Sequence, residues 1–198
     1  IVSHRGVEEV YDAARDHGAD MVVMGWGPDG GSRAESGIDE ITGDVPCDFL
    51  VLRDRGFDPD RVLVPTAGGP DSDLSAAIAE HLRAEFGSAV TLLHVAEAGE
   101  RERGEAFLAE WAEERGLGDA DLRVETGDVE AAIERAAGDA TMVIFGATER
   151  GLLRRLVTGS LVMDVIDDVD CSVLLAERAR KRTLRERLFG SGRDGGGC

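Results

Sequence analysis

Thr141 to Ser160 reads TMVIFGATERGLLRRLVTGS: an apolar run that stops at a glycine, a loop with three arginines, and a Gly-Ser pair ahead of a further apolar stretch. Met142–Gly146 has no polar break. That pattern predicts a strand covered on both faces, the kind found in parallel sheets. Gly159-Ser160 predicts a helix start, with the helix running over Ser160–Asp167 and a last strand at Ser172–Leu175. Upstream, Asp128–Ala137 predicts a helix that turns Val129, Ala132, Ile133 and Ala136 inward, preceded by a strand at Leu122–Glu125. Glu102–Arg115 predicts a helix with Phe107, Leu108 and Trp111 on one face, ended by Gly116, and Val90–Val95 predicts a strand before it. Asp71–Phe86 predicts a helix with a Leu74, Ile78, Leu82, Phe86 stripe, capped by Asp71 or Ser72 and stopped by Gly87. Arg61–Pro65 (RVLVP) is its preceding strand. Strands alternating with helices imply an α/β fold: a parallel five-stranded sheet with right-handed crossovers and helices on both faces.

The beginning of the chain repeats the end of this pattern. Val7–His17 predicts a helix, Met21–Gly25 (MVVMG) an apolar strand, Glu35–Gly43 a helix and Phe49–Leu52 a strand. GADMVVMG, ending at Gly25, matches GDATMVIFG, ending at Gly146. VPCDFLVLRDR matches VDCSVLLAER and aligns Cys47 with Cys171. The same order recurring about 120 residues apart predicts a tandem duplication. Residues 1–56 are then the C-terminal half of a first domain, and 57–178 are a complete second one. The chain starts in mid-pattern and without Met, which predicts a piece of a longer protein. Residues 179–198 form an Arg-rich and then Gly-rich tail, expected to be disordered at its end.

The 198 residues carry 40 acidic and 22 basic side chains, a net charge of −18, and Lys181 is the only lysine. With 42% apolar residues in periodic order, this is a folded chain rather than a disordered one. Excess carboxylate almost without lysine suits a halophilic cytoplasm, where salt near 1 M shortens the Debye length to about 3 Å and screens self-repulsion. Nucleic acid is excluded as a partner, because no basic face exists outside the tail. Cys47, Cys171 and Cys198 have no metal-type spacing and fit buried thiols in a reducing compartment. No apolar run reaches membrane-span length.

Gly146–Ser160 is also the strongest candidate site. A strand ends at a glycine, and a Gly-Ser pair opens a helix whose N–H groups point at an anion. Arg150, Arg154 and Arg155 make this loop a basic island. Here the chain resembles the universal stress protein family, whose nucleotide-binding members carry G-x2-G-x9-G-[S/T] at this place. The spacing fits, with Glu149 standing where the second glycine is expected. The resemblance extends from Arg61 to Leu175 and includes VLVP in the first strand, LLHV in the second, Gly127 before the third helix, and GSLVMDVI. It implies an adenine nucleotide alpha hydrolase-like fold and nucleotide contacts at Pro65, Thr66, Val95, Gly146, Arg150, Gly159, Ser160 and Leu161. Ala67 stands where the family has a nucleoside-binding Asp. The implied ligand is ATP or AMP with Mg²⁺. Family members pair through their last strands, which implies a pseudo-dimer or homodimer with Phe49–Leu52 near Ser172–Leu175.

Other motifs carry less. Gly25–Gly30 (GWGPDG) matches G-x-G-x-x-G, but Pro28 and loop residues separate it from a helix start. Gly68–Ser72 (GGPDS) lacks the lysine of a P-loop and reads as a turn and helix cap. His4, His17, His81 and His94 have no metal spacing and read as core or surface residues. Arg178–Arg187 reads as a solvated helix or as a contact with anionic lipid or a membrane-domain partner. The expected function is a non-catalytic regulatory or sensor domain. Its placement, by resemblance, is the cytosolic C-terminal tail of a haloarchaeal amino-acid permease. The alternatives are a free-standing tandem stress protein and a slow ATPase with Glu149 as base.

Overall fold

The computed structural model describes residues 7–25, 47–146 and 169–179. Helices are α1 (Val7–His17), α2 (Pro70–Phe86), α3 (Arg101–Glu114) and α4 (Val129–Ala137). Strands are β1 (Met21–Gly25), β2 (Asp48–Arg53), β3 (Arg61–Pro65), β4 (Ala89–Ala96), β5 (Asp121–Thr126), β6 (Met142–Gly146) and β7 (Ser172–Glu177). All seven join one sheet in the order β1-β2-β7-β6-β3-β4-β5. The five strands β3 to β7 are mutually parallel. The sheet then continues through β2, which runs antiparallel to β7 with Phe49 opposite Glu177 and Leu52 opposite Leu174. β1 lies parallel to β2 at the edge.

The two-residue period of the strands divides the core. Leu63, Leu93, Val143, Phe145, Val173 and Leu175 point to one face, where α4 supplies Ile133 and Ala136 and α1 supplies Tyr11. Tyr11 meets Phe49 edge-on, with ring centroids 5.6 Å apart. Val62, Val64, Leu92, Met142, Ile144 and Leu174 point to the other face, beneath Leu74, Ala76 and Ala79 of α2 and Leu108 and Trp111 of α3. Small residues on α2 let it lie close to the sheet. Gly104 does the same for α3: a Cβ there would sit 2.9 Å from Ala96 Cβ.

Three local expectations need correction. Neither Asp71 nor Ser72 caps α2; the N-cap is Gly69, without a side-chain hydrogen bond, and Pro70 opens the helix. Proline suits that position because its missing N–H has no intrahelical acceptor there. Asp71 and Ser72 fall inside the first turn and are buried. Phe86 does not continue the inner stripe. It is exposed and packs edge-on against Phe57, because four residues per step overshoot the 3.6-residue turn and carry the stripe around the helix. Asp128 is the N-cap of α4 rather than part of it, accepting a hydrogen bond from the Ala131 N–H at 3.0 Å. The helices expected over 35–43 and 160–167, and the tail, lie outside the described residues.

Candidate functional site

Strands β3, β4 and β5 step outward in one direction and β6 and β7 in the other, so the order reverses between β3 and β6. In open α/β sheets such a reversal leaves a crevice beyond the carboxyl ends of the strands. Here the two strands pair only through Val62–Met142 and Leu63–Val143. Past that ladder, Pro65 and Thr66 stand at the end of one strand and Gly146 at the end of the other, forming the two lips.

The β3 lip is held by backbone chemistry. The Thr66 N–H donates to the Leu93 carbonyl at 2.8 Å. Its own carbonyl lies 3.0 Å from His94 Nδ1, and its hydroxyl accepts from the Gly68 N–H at 3.1 Å. Gly68 and Gly69 follow with φ of 83° and 95°, a region that L side chains rarely enter. A Cβ on Gly68 would also press on Phe107, at 3.3 Å. The His94 ring packs on Phe107 at 4.8 Å, so the turn, β4 and α3 lock one another.

The β6 lip depends on the absence of a side chain. A Cβ on Gly146 would stand 2.6 Å from the Asp71 carbonyl carbon and the Ser72 nitrogen. Glycine therefore lets the end of β6 lie directly against the first turn of α2. Asp71, buried at this contact, accepts a hydrogen bond from the Arg178 N–H at 2.7 Å. The next amide, Ala179 N–H, donates to Asp48 Oδ1 at 2.9 Å. Two carboxylates thus fix the direction in which the chain leaves β7.

Of the residues singled out in the sequence, Pro65, Thr66 and Gly146 flank the crevice, and Val95 is half-buried near the carboxyl end of β4, on the same face as Leu93. Arg150, Gly159, Ser160 and Leu161, and also Glu149, lie outside the described residues. Asp71 escaped sequence reasoning as a tertiary anchor, because an acidic residue beside Pro-70 in a glycine-rich turn reads as a cap. Among the described residues no three His, Cys, Asp or Glu side chains are grouped to hold a metal ion. The acidic first turn of α2, Asp71 and Asp73, is unfavourable for a phosphate.

A cavity of about 460 Å³ opens at the opposite, amino-terminal end of the strands, lined by Arg55, Glu134, Thr141, Asp170, Cys171 and Ser172. It does not adjoin the crevice. Burial pushes the Cys171 thiol above its ordinary value, so it is a poor nucleophile.

The family model for the universal stress protein family matches residues 59–177, more than half of the chain. This chain belongs to the universal stress protein family. The matched region contains the whole parallel sheet and both lips of the crevice. No curated protein matches the sequence. Among solved structures, a universal stress protein from Archaeoglobus fulgidus is similar at 21% identity, with a TM-score of 0.60 over 89% of this chain and 66% of that one. A functionally unknown protein from Pseudomonas aeruginosa is similar at 16% identity, TM-score 0.59, over 87% of this chain and 68% of that one. A putative universal stress protein from the same species is similar at 16%, TM-score 0.56, over 86% and 67%. At these identities the likeness establishes the universal stress fold. The chain spans about two thirds of the length of these structures. Among the described residues no helix is long and apolar enough to cross a membrane.

Proposed function

We propose that this universal stress domain is a non-catalytic regulatory module that takes an adenine nucleotide, ATP or AMP, in the crevice between β3 and β6. The observation that carries the reading is the reversal of strand order between β3 and β6, which sets the carboxyl ends of the two strands, Pro65–Thr66 and Gly146, beside each other. The base and sugar lie against the Pro65–Thr66 lip and Val95. The phosphates extend toward Arg150, Gly159, Ser160 and Leu161, and Mg²⁺ arrives with them as their counter-ion. The described side chains favour binding over turnover. His94 and His81 each direct Nδ1 to a backbone carbonyl, Thr66 and Ala77 respectively, so neither is poised as a general base beside a nucleophile.

Calorimetry of the full chain with ATP, AMP and cyclic AMP in molar KCl with Mg²⁺ tests this reading. Micromolar binding of at least one nucleotide, weakened tenfold or more by Gly146→Val, is the expected result. No heat with any of the three sinks the nucleotide reading. Single-turnover hydrolysis of ATP, abolished by Glu149→Ala, would replace it with the ATPase. The acidic composition supports a working environment of high salt. Attachment to a membrane transporter rests on resemblance alone, and the encoding gene checks it: membrane spans ahead of Ile1 support it, and a start codon with a complete first domain supports a free-standing protein.

A further inference from the structure

The ladder between β3 and β4 ends at Pro65 opposite Leu93. Thr66 is the first residue past it and is buried, so its carbonyl needs a donor. That donor is a side chain: His94 Nδ1 stands 3.0 Å from the Thr66 carbonyl oxygen. A carbonyl only accepts, so Nδ1 carries the proton, and the neutral ring keeps Nε2 bare. The ring itself is held by α3. Phe107 packs on it with centroids 4.8 Å apart, and its Cδ2 edge would lie 3.1 Å from a Cβ on Gly104, a position that has none. The imidazole is thus fixed on the helix side and aimed at one peptide group.

That peptide has a second end. The Thr66–Ala67 bond is trans, so the Ala67 N–H points opposite to the Thr66 carbonyl. β4 lies on one side of β3 and β6 on the other. With the carbonyl turned to His94 of β4, the N–H is turned to the side of β6 and Gly146. Among the described residues this N–H has no hydrogen-bond partner, and Ala67 is exposed. We infer that the Ala67 N–H is a ligand donor in the crevice, given to an acceptor atom on the base or sugar of the nucleotide, and that His94 is the positioning residue that aims it. The inference rests on the nucleotide reading above and names an atom within it. It also assigns the contact at residue 67 to the backbone, which an alanine supplies as well as any other residue with an N–H.

The test follows the full chain by nuclear magnetic resonance in molar KCl with Mg²⁺ while ATP or AMP is added. Before ligand, the His94 nitrogens should report Nδ1 protonated and Nε2 bare. Saturation should shift the Ala67 amide proton and slow its exchange with water about tenfold or more. Calorimetry of three variants separates the roles. Ala67→Pro removes the N–H and should weaken binding about tenfold or more. His94→Phe keeps a ring on Phe107 without the donor, whereas His94→Asn keeps a donor at the Nδ1 position without the ring. The phenylalanine variant should weaken binding about fivefold or more, with asparagine restoring most of the loss. The reverse order would show that His94 serves packing alone and would overturn its positioning role. Unchanged Ala67 exchange in the saturated, unaltered chain would overturn the donor and leave the nucleotide reading standing, whatever the folding of the variants. Binding of neither nucleotide by the unaltered chain would overturn both.

Discussion

β1 and β6 differ at only two of five positions, MVVMG against MVIFG, and both end at a glycine. One is the edge of the sheet and the other its centre. What separates them is the cover on one face: α2 over Ile144, nothing described over Val23. The comparison teaches that an apolar run marks a strand without stating its depth. Depth is a property of what packs on it, and similar sequences acquire unequal energies from unequal neighbours.

The largest expected effect lies at the centre. Ile144→Ala leaves a cavity under α2 and should lower stability by about 2–5 kcal/mol in urea unfolding. A loss below about 1 kcal/mol would mean that β6 is no better covered than β1. Asp71→Ala comes next. It removes a buried carboxylate that holds the Arg178 amide, and loss of a hydrogen bond to a charged group costs about 1.5–3 kcal/mol. Proteolysis just after β7 should accelerate at the same time. Gly146→Ala should cost about 1–3 kcal/mol, since its Cβ meets backbone rather than a yielding side chain. Gly25, which ends β1 as Gly146 ends β6, has open space around a Cβ, so Gly25→Ala should cost far less. Equal losses at the two glycines would break the comparison.

The thiols give a pH prediction. Burial raises both Cys47 and Cys171 from the ordinary value of 9.0. The folded chain then holds these protons to higher pH than the unfolded chain does. Their contribution to stability is complete below about pH 9 and is lost as pH rises through the folded values. Native-state alkylation at pH 8 should spare both and unfolding should release both, which mass spectrometry checks. The smallest effect is at the edge: Val23→Ala should change stability of the chain by no more than about 0.5 kcal/mol.

Much of the fold was legible. Arg61–Pro65, Met142–Gly146, Met21–Gly25 and Val7–His17 have the ends expected from their patterns, because each is bounded by Gly, Pro or charge. The strand–helix alternation dictated a parallel sheet, since parallel neighbours need crossovers. The candidate site was legible in part. Pro65, Thr66 and Gly146 come together because the strand order reverses between their strands, and no local pattern states where that reversal falls. The role of Asp71 was hidden for a related reason. Its partner, Arg178, is 107 residues away, and a local reading finds only a helix start. Phe86 was misread because a strict four-residue step drifts off a 3.6-residue helix.

The sequence alone determined the element types and the family, because periodicity, glycine punctuation and motif spacing are local properties of the chain. Only the tertiary structure decided that β2 turns antiparallel to β7, that Gly146 must be bare to meet α2, and that Val23 is open while Ile144 is sealed. Those outcomes depend on which surfaces meet across long chain separations, and burial is set by the neighbour as much as by the residue.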